Sequence, residues 1–450
     1  MNIIVLGNGF DLAHELPTEY RDFLAFCKMI KEVYAVRNAG DMDTVWERLE
    51  VKVKYNVIGL KELFSNLYTA RVEEIDEDST KKLKTNTVYD ELYEDIKDNI
   101  WVDYFLANPM YRKENWIDFE GEIRKLIQQL DGDMLKDNGG KYELSDEMVK
   151  LTNPFLKGRY SKYELIAQSM AAFTEGTSES ITFREIRDQL YDDLNKLTRA
   201  LEIYLTEYVE KIECNLFSPD IKEAVYGIQS NKEGKQVAIQ SNVLCFNYTN
   251  TYEKMYKKLF QREDYTVDYI HGKAYIENTI DTNSMVLGID EYLGKERDEY
   301  TEFIAFKKFY QRIHKETGCM YKEWIERIRE EYEDYMDKKL RGISEAKNMY
   351  PTLREYQIDK IKRQKCDMHQ LYIFGHSLDV TDGDVLRELI LNDNVYTTIF
   401  YLNKDVMGQQ IANLVKMIGQ DELIKRTGGA TKTIEFRHQQ NMERIATISI

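Results

Sequence analysis

The sequence predicts an α/β protein: a mostly parallel sheet, covered by helices on both sides and interrupted by large helical insertions. Three observations carry this expectation. Runs of strand length rich in Val, Ile, Phe and Tyr cluster at the two ends of the chain. Several of them are apolar at every position, as strands covered on both faces are. Between the clusters the apolar period changes from strand-like to helical. The first run, "NIIVLG", leads straight into Gly7-Asn8-Gly9, which gives the class a Rossmann-like, nucleotide-binding character.

The remaining strands are expected at "NVLCFNY" (242–248), "YTVDYIHG" (265–272), "SMVLGID" (284–290), "QLYIFGHS" (370–377), "VYTTIFYL" (395–402) and "KTIEFRH" (432–438). Each closes on or beside a residue that punctuates strands, such as Gly, Asn, His or Asp. Residues 18–36 place Tyr20, Phe23, Leu24, Cys27 and Ile30 on one helical stripe, with Thr18 as the expected N-cap and Glu19 in the first turn. From about 40 to 235 the chain reads as amphipathic helix, broken by polar stretches at 73–87, 131–147 and 227–241. A second helical block, 298–366, carries Trp324, Ile325, Ile328, Tyr332 and Tyr335 on one stripe.

The economical organisation is one discontinuous nucleotide-binding domain formed by 1–35, 240–296 and 367–450. Residues 36–239 form a helical insertion domain and 297–366 a further helical insertion, both expected near the carboxyl edge of the sheet.

Composition narrows the function. With 450 residues, 31% of them charged, and five prolines, the chain is expected to be globular and helix-rich. It contains no run of about 18 apolar residues, the length a membrane span needs. The N-terminal apolar run is too short for a signal peptide and lacks a basic flank, so the expected location is the cytoplasm. The net charge of −17 opposes a broad nucleic-acid surface, which requires a basic footprint. The cysteines Cys27, Cys214, Cys245, Cys319 and Cys366 are scattered without a C-x-x-C pair, as reduced thiols rather than a zinc or disulfide framework would be.

Four strand ends hold the residues that can carry chemistry. In "GNGFDLAH", Gly7 and Gly9 permit a tight turn or the close approach of a phosphate, although Leu12 stands where a full G-x-G-x-x-G would have its last glycine. Asp11 beside that turn can accept hydrogen bonds from a ribose or fix the loop. In "CFNYTNTYEKMY", Asn247, Thr249 and Asn250 lie where a strand meets a helix start, and one residue of 249–251 is expected to cap that helix. In "DYIHGKA", His271 closes a strand, where an imidazole acts as acid, base or hydrogen-bond donor, or simply as a satisfied structural histidine. In "YIFGHSLDVTDGDVL", Gly375-His376-Ser377 is followed by Asp379, Asp382 and Asp384. Three acids at this spacing can serve a divalent metal, but acids also favour a helix start with no metal present. Ser377 lacks the second glycine of a nucleophile elbow, which argues against a serine hydrolase.

Taken in order, "IIVLGNGFDLAHELPTEYRDFL", "WIDFE" (116–120), "FNYTNT", "IHGK", "LGID" and "IFGHSLDVTD" resemble the AbiH family of bacteriophage abortive infection proteins over most of the chain. AbiH proteins in turn resemble distant members of the sirtuin-like NAD-binding superfamily. Gly7-Asn8-Gly9 is similar to that superfamily's G-A-G turn, Asn247 to the Asn of its Asn-x-Asp motif, His271-Gly272 to its His-Gly, and Gly375-His376-Ser377 to its G-x-S. Two departures stand out: Thr249 replaces the motif's Asp, and the four zinc cysteines of deacylating sirtuins have no counterpart.

The resemblance implies a phage-defence protein that hydrolyses NAD⁺, releasing nicotinamide and depleting the host's pool, with NAD⁺ as substrate and no prosthetic group or metal. It implies Asn247 and His271 as catalytic residues and Gly7, Asn8, Gly9, Asp11, Thr249, Gly375, Ser377 and Asp379 as the nucleotide-binding set. A phage-derived trigger and a homo-oligomer are the partners it implies. Two alternatives stay open: a nucleotide-binding sensor without turnover that acts through a partner, and a metal-dependent nuclease built on Asp379, Asp382 and Asp384.

Overall fold

The computed structural model describes residues 1–36, 41–49, 59–76, 87–114, 117–134, 183–226, 228–230, 236–238, 241–257, 265–290, 301–344, 350–363, 369–429 and 432–445. The polar stretch 131–147 lies largely outside these residues, as do parts of 73–87 and 227–241, together with Trp116 and Cys366. The chain divides into two compact units, one of 1–16, 213–273 and 317–450, the other of 17–212 and 274–316.

The first unit is built on six parallel strands: β1 (Asn2–Leu6), β2 (Ser241–Cys245), β3 (Tyr265–Tyr269), β4 (His369–Phe374), β5 (Val395–Tyr401) and β6 (Ile434–His438). Their order across the sheet is β3-β2-β1-β4-β5-β6, all pairs parallel. This is the arrangement of a Rossmann-type sheet, in which the strand order reverses between β1 and β4. The fold is therefore α/β and Rossmann-like, with many helices beside the sheet.

Every residue of β1 is buried because both faces are covered. Ile3 and Val5 join a core formed with Leu371, Ile373 and Ile399 under helices Tyr321–Ser344, Gly383–Ile390 and Lys404–Ile418. Ile4 and Leu6 join the opposite core with Val243, Phe374 and Phe400, against Phe10, helix Pro219–Tyr226, and Tyr252, Met255 and Tyr256. The alternation follows from the two-residue period of a strand. In the long helix Tyr321–Ser344, Trp324, Ile325 and Ile328 are buried, while Tyr332 and Tyr335 further along the same stripe are partly exposed.

The second unit is helical. Helix Phe183–Glu207 packs on Thr87–Ile96 and Ile100–Ala107, and Tyr20–Tyr34 packs on Leu60–Asp76. The helix expected at 18–36 is Tyr20–Tyr34, and its N-cap is Glu19 rather than Thr18. Glu19 accepts the N3 backbone N–H while Asp22 accepts the Glu19 N–H at 3.2 Å, a reciprocal capping box built from two acids. Inside this unit Arg199 is ion-paired at 2.8 Å to both Glu91 and Glu202. Glu202, fully buried, also accepts from Tyr275 N, Asn278 Nδ2 and Asn283 Nδ2 at 3.0, 2.6 and 2.6 Å, which fastens the segment 275–283 to the long helix. A buried charge with this many donors meets the condition under which burial is tolerated.

One expected strand is corrected. Residues 284–290 lie in the second unit as extended chain and make a single bridge, Ile289 to Lys307. Side chains take the place of a neighbouring strand: Gln311 Nε2 donates to Leu287 O at 3.1 Å and Lys315 Nζ to Met285 O at 2.6 Å. An apolar run signals burial, and here burial is met without a sheet. Cys27, Cys214, Cys245 and Cys319 are free thiols, and burial pushes the pKa of Cys27 and Cys245 up, away from reactivity.

Buried histidines of the first unit and buried carboxyls of the second are shifted in opposite senses, with Asp268 of the first unit, also raised by burial, as the exception. In the first, burial lowers His14 and His369 to about 4. Such histidines stabilise the fold fully above the ordinary histidine pKa of about 6.5, and the contribution is lost as pH falls towards 4. In the second, burial raises Asp22 to about 6 and Asp95 to about 7. These carboxyls stabilise below about pH 4, and the contribution is lost as pH rises through 6 to 7. Hydrogen exchange, corrected for intrinsic rates, is expected to show β1 and β4 losing protection from pH 7 to pH 5 while helices 87–96 and 183–207 gain it. Parallel losses in both regions would contradict the assignment.

Candidate functional site at the strand-order reversal

The turns that follow β1 and β4 lie directly on one another. The Gly7 N–H donates to Phe374 O at 3.1 Å and the Gly9 N–H to Gly375 O at 2.8 Å. A Cβ on Gly7 would stand 2.6 Å from His376 Cα, and one on Gly9 2.8 Å from Gly375 Cα. Gly375 has φ +67°, and a Cβ there would stand 2.2 Å from Phe10 N. The glycines thus let two backbones touch. Their N–H groups at 7 and 9 are taken by protein carbonyls, which leaves exposed Asn8 as the part of this turn that faces solvent.

The turn after β2 is tied to the turn after β1 by side chains. Asn247 Nδ2 donates to Gly7 O at 3.1 Å. Thr249 Oγ1 donates to Asp11 Oδ2 at 2.7 Å, and Thr251 Oγ1 to Thr249 Oγ1 at 3.0 Å. Asp11 is wholly buried, so its carboxylate acts as the acceptor that ends this hydroxyl chain. The helical turn that follows begins at Thr251 and is wound as a π-helix over Glu253–Lys257.

His271 stands at the end of β3 beside Gly272, whose φ of +77° lets the chain turn back with its N–H on Tyr269 O at 3.0 Å. Its Nε2 lies 3.2 Å from Asp382 Oδ1, and His376 Nε2 lies 3.5 Å from Asp382 Oδ2. All three residues are at most 7% exposed. The ring of Phe246, from the end of β2, meets both imidazoles edge-on, with centroids 5.2 Å from His271 and 4.5 Å from His376. The loop after β4 therefore reaches β3, which β1 and β2 separate from it in the sheet.

That loop is held firmly. Gln410 Nε2 donates to His376 O at 3.1 Å and Asn413 Nδ2 to Ser377 O at 3.0 Å, both from helix Lys404–Ile418. Leu378, fully buried, has φ +59°, an uncommon backbone for a non-glycine residue that the surrounding contacts must impose. Ser377 is exposed at the loop's tip.

The three acids of this segment part company. Asp379 caps the short helix Val380–Asp382 by accepting the Thr381 N–H at 3.0 Å, Asp382 turns to the histidines, and Asp384 is exposed. Among the described residues no group of three His, Cys, Asp or Glu side chains is placed to hold a metal ion.

The structure thus brings together, within one unit, residues from the ends of β1, β2, β3 and β4. Sequence reasoning missed the link between His271, Asp382 and His376. It took Asp382 for a metal ligand or a helix-start acid and His376 for part of a turn. A histidine after each of two strands, with an acid six residues beyond the second, was the available signal.

The family model described as "Bacteriophage abortive infection AbiH" matches residues 3–402, from β1 through β5. The chain belongs to the AbiH family. No curated protein and no solved structure matches it. Membership of the AbiH family indicates a part in abortive infection defence against phage, and all four strand ends of the candidate site fall inside the matched region.

Two glycine variants test the packing at the AbiH chain's strand-order reversal. Gly375→Ala is expected to cost at least about 2 kcal/mol, because φ is positive and the added Cβ meets backbone. Gly342→Ala, in an exposed helix position with open space around it, is expected to be neutral or to stabilise by up to about 1 kcal/mol. Urea unfolding of both variants checks this; equal effects would refute it.

Proposed function

We propose that this AbiH protein is an NAD⁺ hydrolase that releases nicotinamide and depletes the host's pool during phage infection. One observation carries the reading: a parallel sheet of reversing strand order brings polar side chains from four strand ends to the place where such sheets hold dinucleotides. The motif series around Gly7–Gly9, Asn247, His271-Gly272 and Gly375–Ser377 supports a distant kinship with sirtuin-like NAD-binding proteins.

The chemistry is hydrolysis of an N-glycosidic bond. The bond between the ribose anomeric carbon and nicotinamide breaks, its electron pair leaves with neutral nicotinamide, and the ribose passes through an oxocarbenium-like state. Water adds to the anomeric carbon and gives up a proton, which His271 accepts as general base. Asn247, anchored at Gly7 O, orients the ribose or that water. Asn8 and Ser377, both exposed, supply polar contacts at the rim, while Asp11 and Thr249 hold the β1 and β2 turns in register. In this reading residues 1–35, 240–296 and 367–450 bind the nucleotide, and the helical insertions 36–239 and 297–366 receive a phage-derived trigger or a second copy in the cytoplasm.

A second reading is a nucleotide sensor without turnover at the same strand ends, and one fact bears on both readings. The Gly7 and Gly9 N–H groups are already bonded within the protein, so a diphosphate would rest there without that cradle.

Incubation of the purified protein with NAD⁺, followed by chromatography, is expected to show nicotinamide. Release is expected to fall about 10²–10⁴-fold in His271→Ala with folding intact. Asn247→Ala should lose activity too, with some loss of stability because Asn247 also anchors Gly7. Undiminished release from His271→Ala would sink the assignment. Tight nucleotide binding without release, even with lysate of phage-infected cells added, would favour the sensor.

A further inference from the structure

We propose that the outer face of helix Lys404–Ile418 is a two-fold docking surface for a second copy of this chain, with the two helices antiparallel and Asp405 of each copy meeting Lys416 of the other. The proposal goes beyond the hydrolase reading and does not depend on it.

The helix has two faces with different tasks. Gln410, Asn413, Leu414 and Met417 are buried. The first two hold His376 O and Ser377 O, and the last two join the core under the sheet. On the opposite side Asp405, Gly408, Gln409, Ala412, Val415 and Lys416 are exposed. With 3.6 residues per turn, these six fall within about a third of the helix circumference. They divide that face lengthwise. Gly408, Ala412 and Val415 form an apolar strip, and Asp405, Gln409 and Lys416 form a polar one beside it.

Packing within one copy does not account for this face. Among the described residues the side chains of Asp405 and Lys416 make no ion pair and no hydrogen bond. Gly408 has nothing within 4 Å of where a Cβ would stand, although glycine is the poorest helix-interior residue after proline. The helix dipole explains an acid in the first turn and a base in the last. It does not require them to share one line of the helix. Yet Asp405 and Lys416 are 11 residues apart, about three turns or about 16 Å, which places them on nearly the same line.

Two copies of the helix set antiparallel about an axis midway between Gln410 and Ile411 bring each Asp405 opposite Lys416 of the other copy. The polar strips then meet each other, with the two Gln409 side chains lying between two ion pairs. The apolar strips meet as well: Val415 of one copy lies over Gly408 of the other, where the missing Cβ leaves it room. Each strip is complementary to itself, which is the condition for a two-fold interface made of one patch. A single helix face is a small interface, so the dimer is a weak one, of micromolar order. The second copy then meets the first unit, and the helical insertions remain for a phage-derived trigger.

Sedimentation velocity of the full chain at low ionic strength, over about 1–300 µM, is expected to show a monomer–dimer equilibrium. Asp405→Lys and Lys416→Asp each turn two attractions into two repulsions, and each alone is expected to weaken pairing at least about tenfold. An equimolar mixture of the two variants restores opposite charges at both contacts and is expected to form a heterodimer as tight as the wild-type dimer. Gly408→Gln is expected to leave the fold at least as stable in urea while removing the dimer, because its side chain fills the space for Val415. Circular dichroism checks folding; should a charge variant not fold, Gly408→Gln decides. A wild type that stays monomeric at about 300 µM overturns the proposal and leaves the face to a different protein. A dimer that the folded variants leave unweakened, or a mixture that fails to pair, overturns it equally.

Discussion

The contact on which the site depends is backbone on backbone: the turn after β1 pressed against the turn after β4. Adjacent parallel strands whose connections diverge leave their carboxyl ends open, and ligands in such sheets use that opening. Here Gly7, Gly9 and Gly375 close it from below, with donor–acceptor distances of 3.1 and 2.8 Å between the two turns. No side chain fits between them, since a Cβ at any of the three would meet backbone at 2.8 Å or less. Once the turns are locked, Gly7 O becomes an anchor for Asn247, and Gly375 delivers His376 and the loop that carries Asp382 to its place.

The polar groups around this contact follow one rule. A buried donor or acceptor left unmatched costs about 1–3 kcal/mol, and several of these groups are met by a specific neighbour. Asp11 takes the hydroxyl of Thr249, Asp382 sits between two imidazoles, and Gln410 takes two carbonyls at once, His376 O and Phe400 O. The helical unit obeys the same rule with Arg199 and Glu202, whose partners come from the chain on both sides of the long helix. In each case a polar residue that a hydrophobicity pattern would treat as an interruption is a structural joint.

These joints also bear on how an AbiH protein could act. The wholly buried Asp11 and the glycine N–H groups are occupied by the protein itself, and the exposed side chains of these turns are Asn8 and Ser377 at the rim. On the hydrolase reading proposed above, such a site would depend on the orientation of His271 more than on the number of contacts, because general-base catalysis requires the right nitrogen at the right place.

The sequence by itself determined the fold class and the strand set. Short apolar runs, several of them apolar at every position, wrote β1 through β6 into the chain to within a few residues, and the residues at the ends of β1 to β4 were legible as polar tips on apolar runs. It also contained the motif series by which the family was legible. Two features were beyond it. The run 284–290 is as apolar as a strand, yet its backbone is met by Gln311 and Lys315, and periodicity reports burial without saying what does the burying. The joining of His271 to Asp382 was likewise decided by tertiary structure alone. Those residues are separated by more than a hundred positions and by two intervening strands, and the loop path that closes the gap is set by Gly375, Leu378, Gln410 and Asn413 acting together.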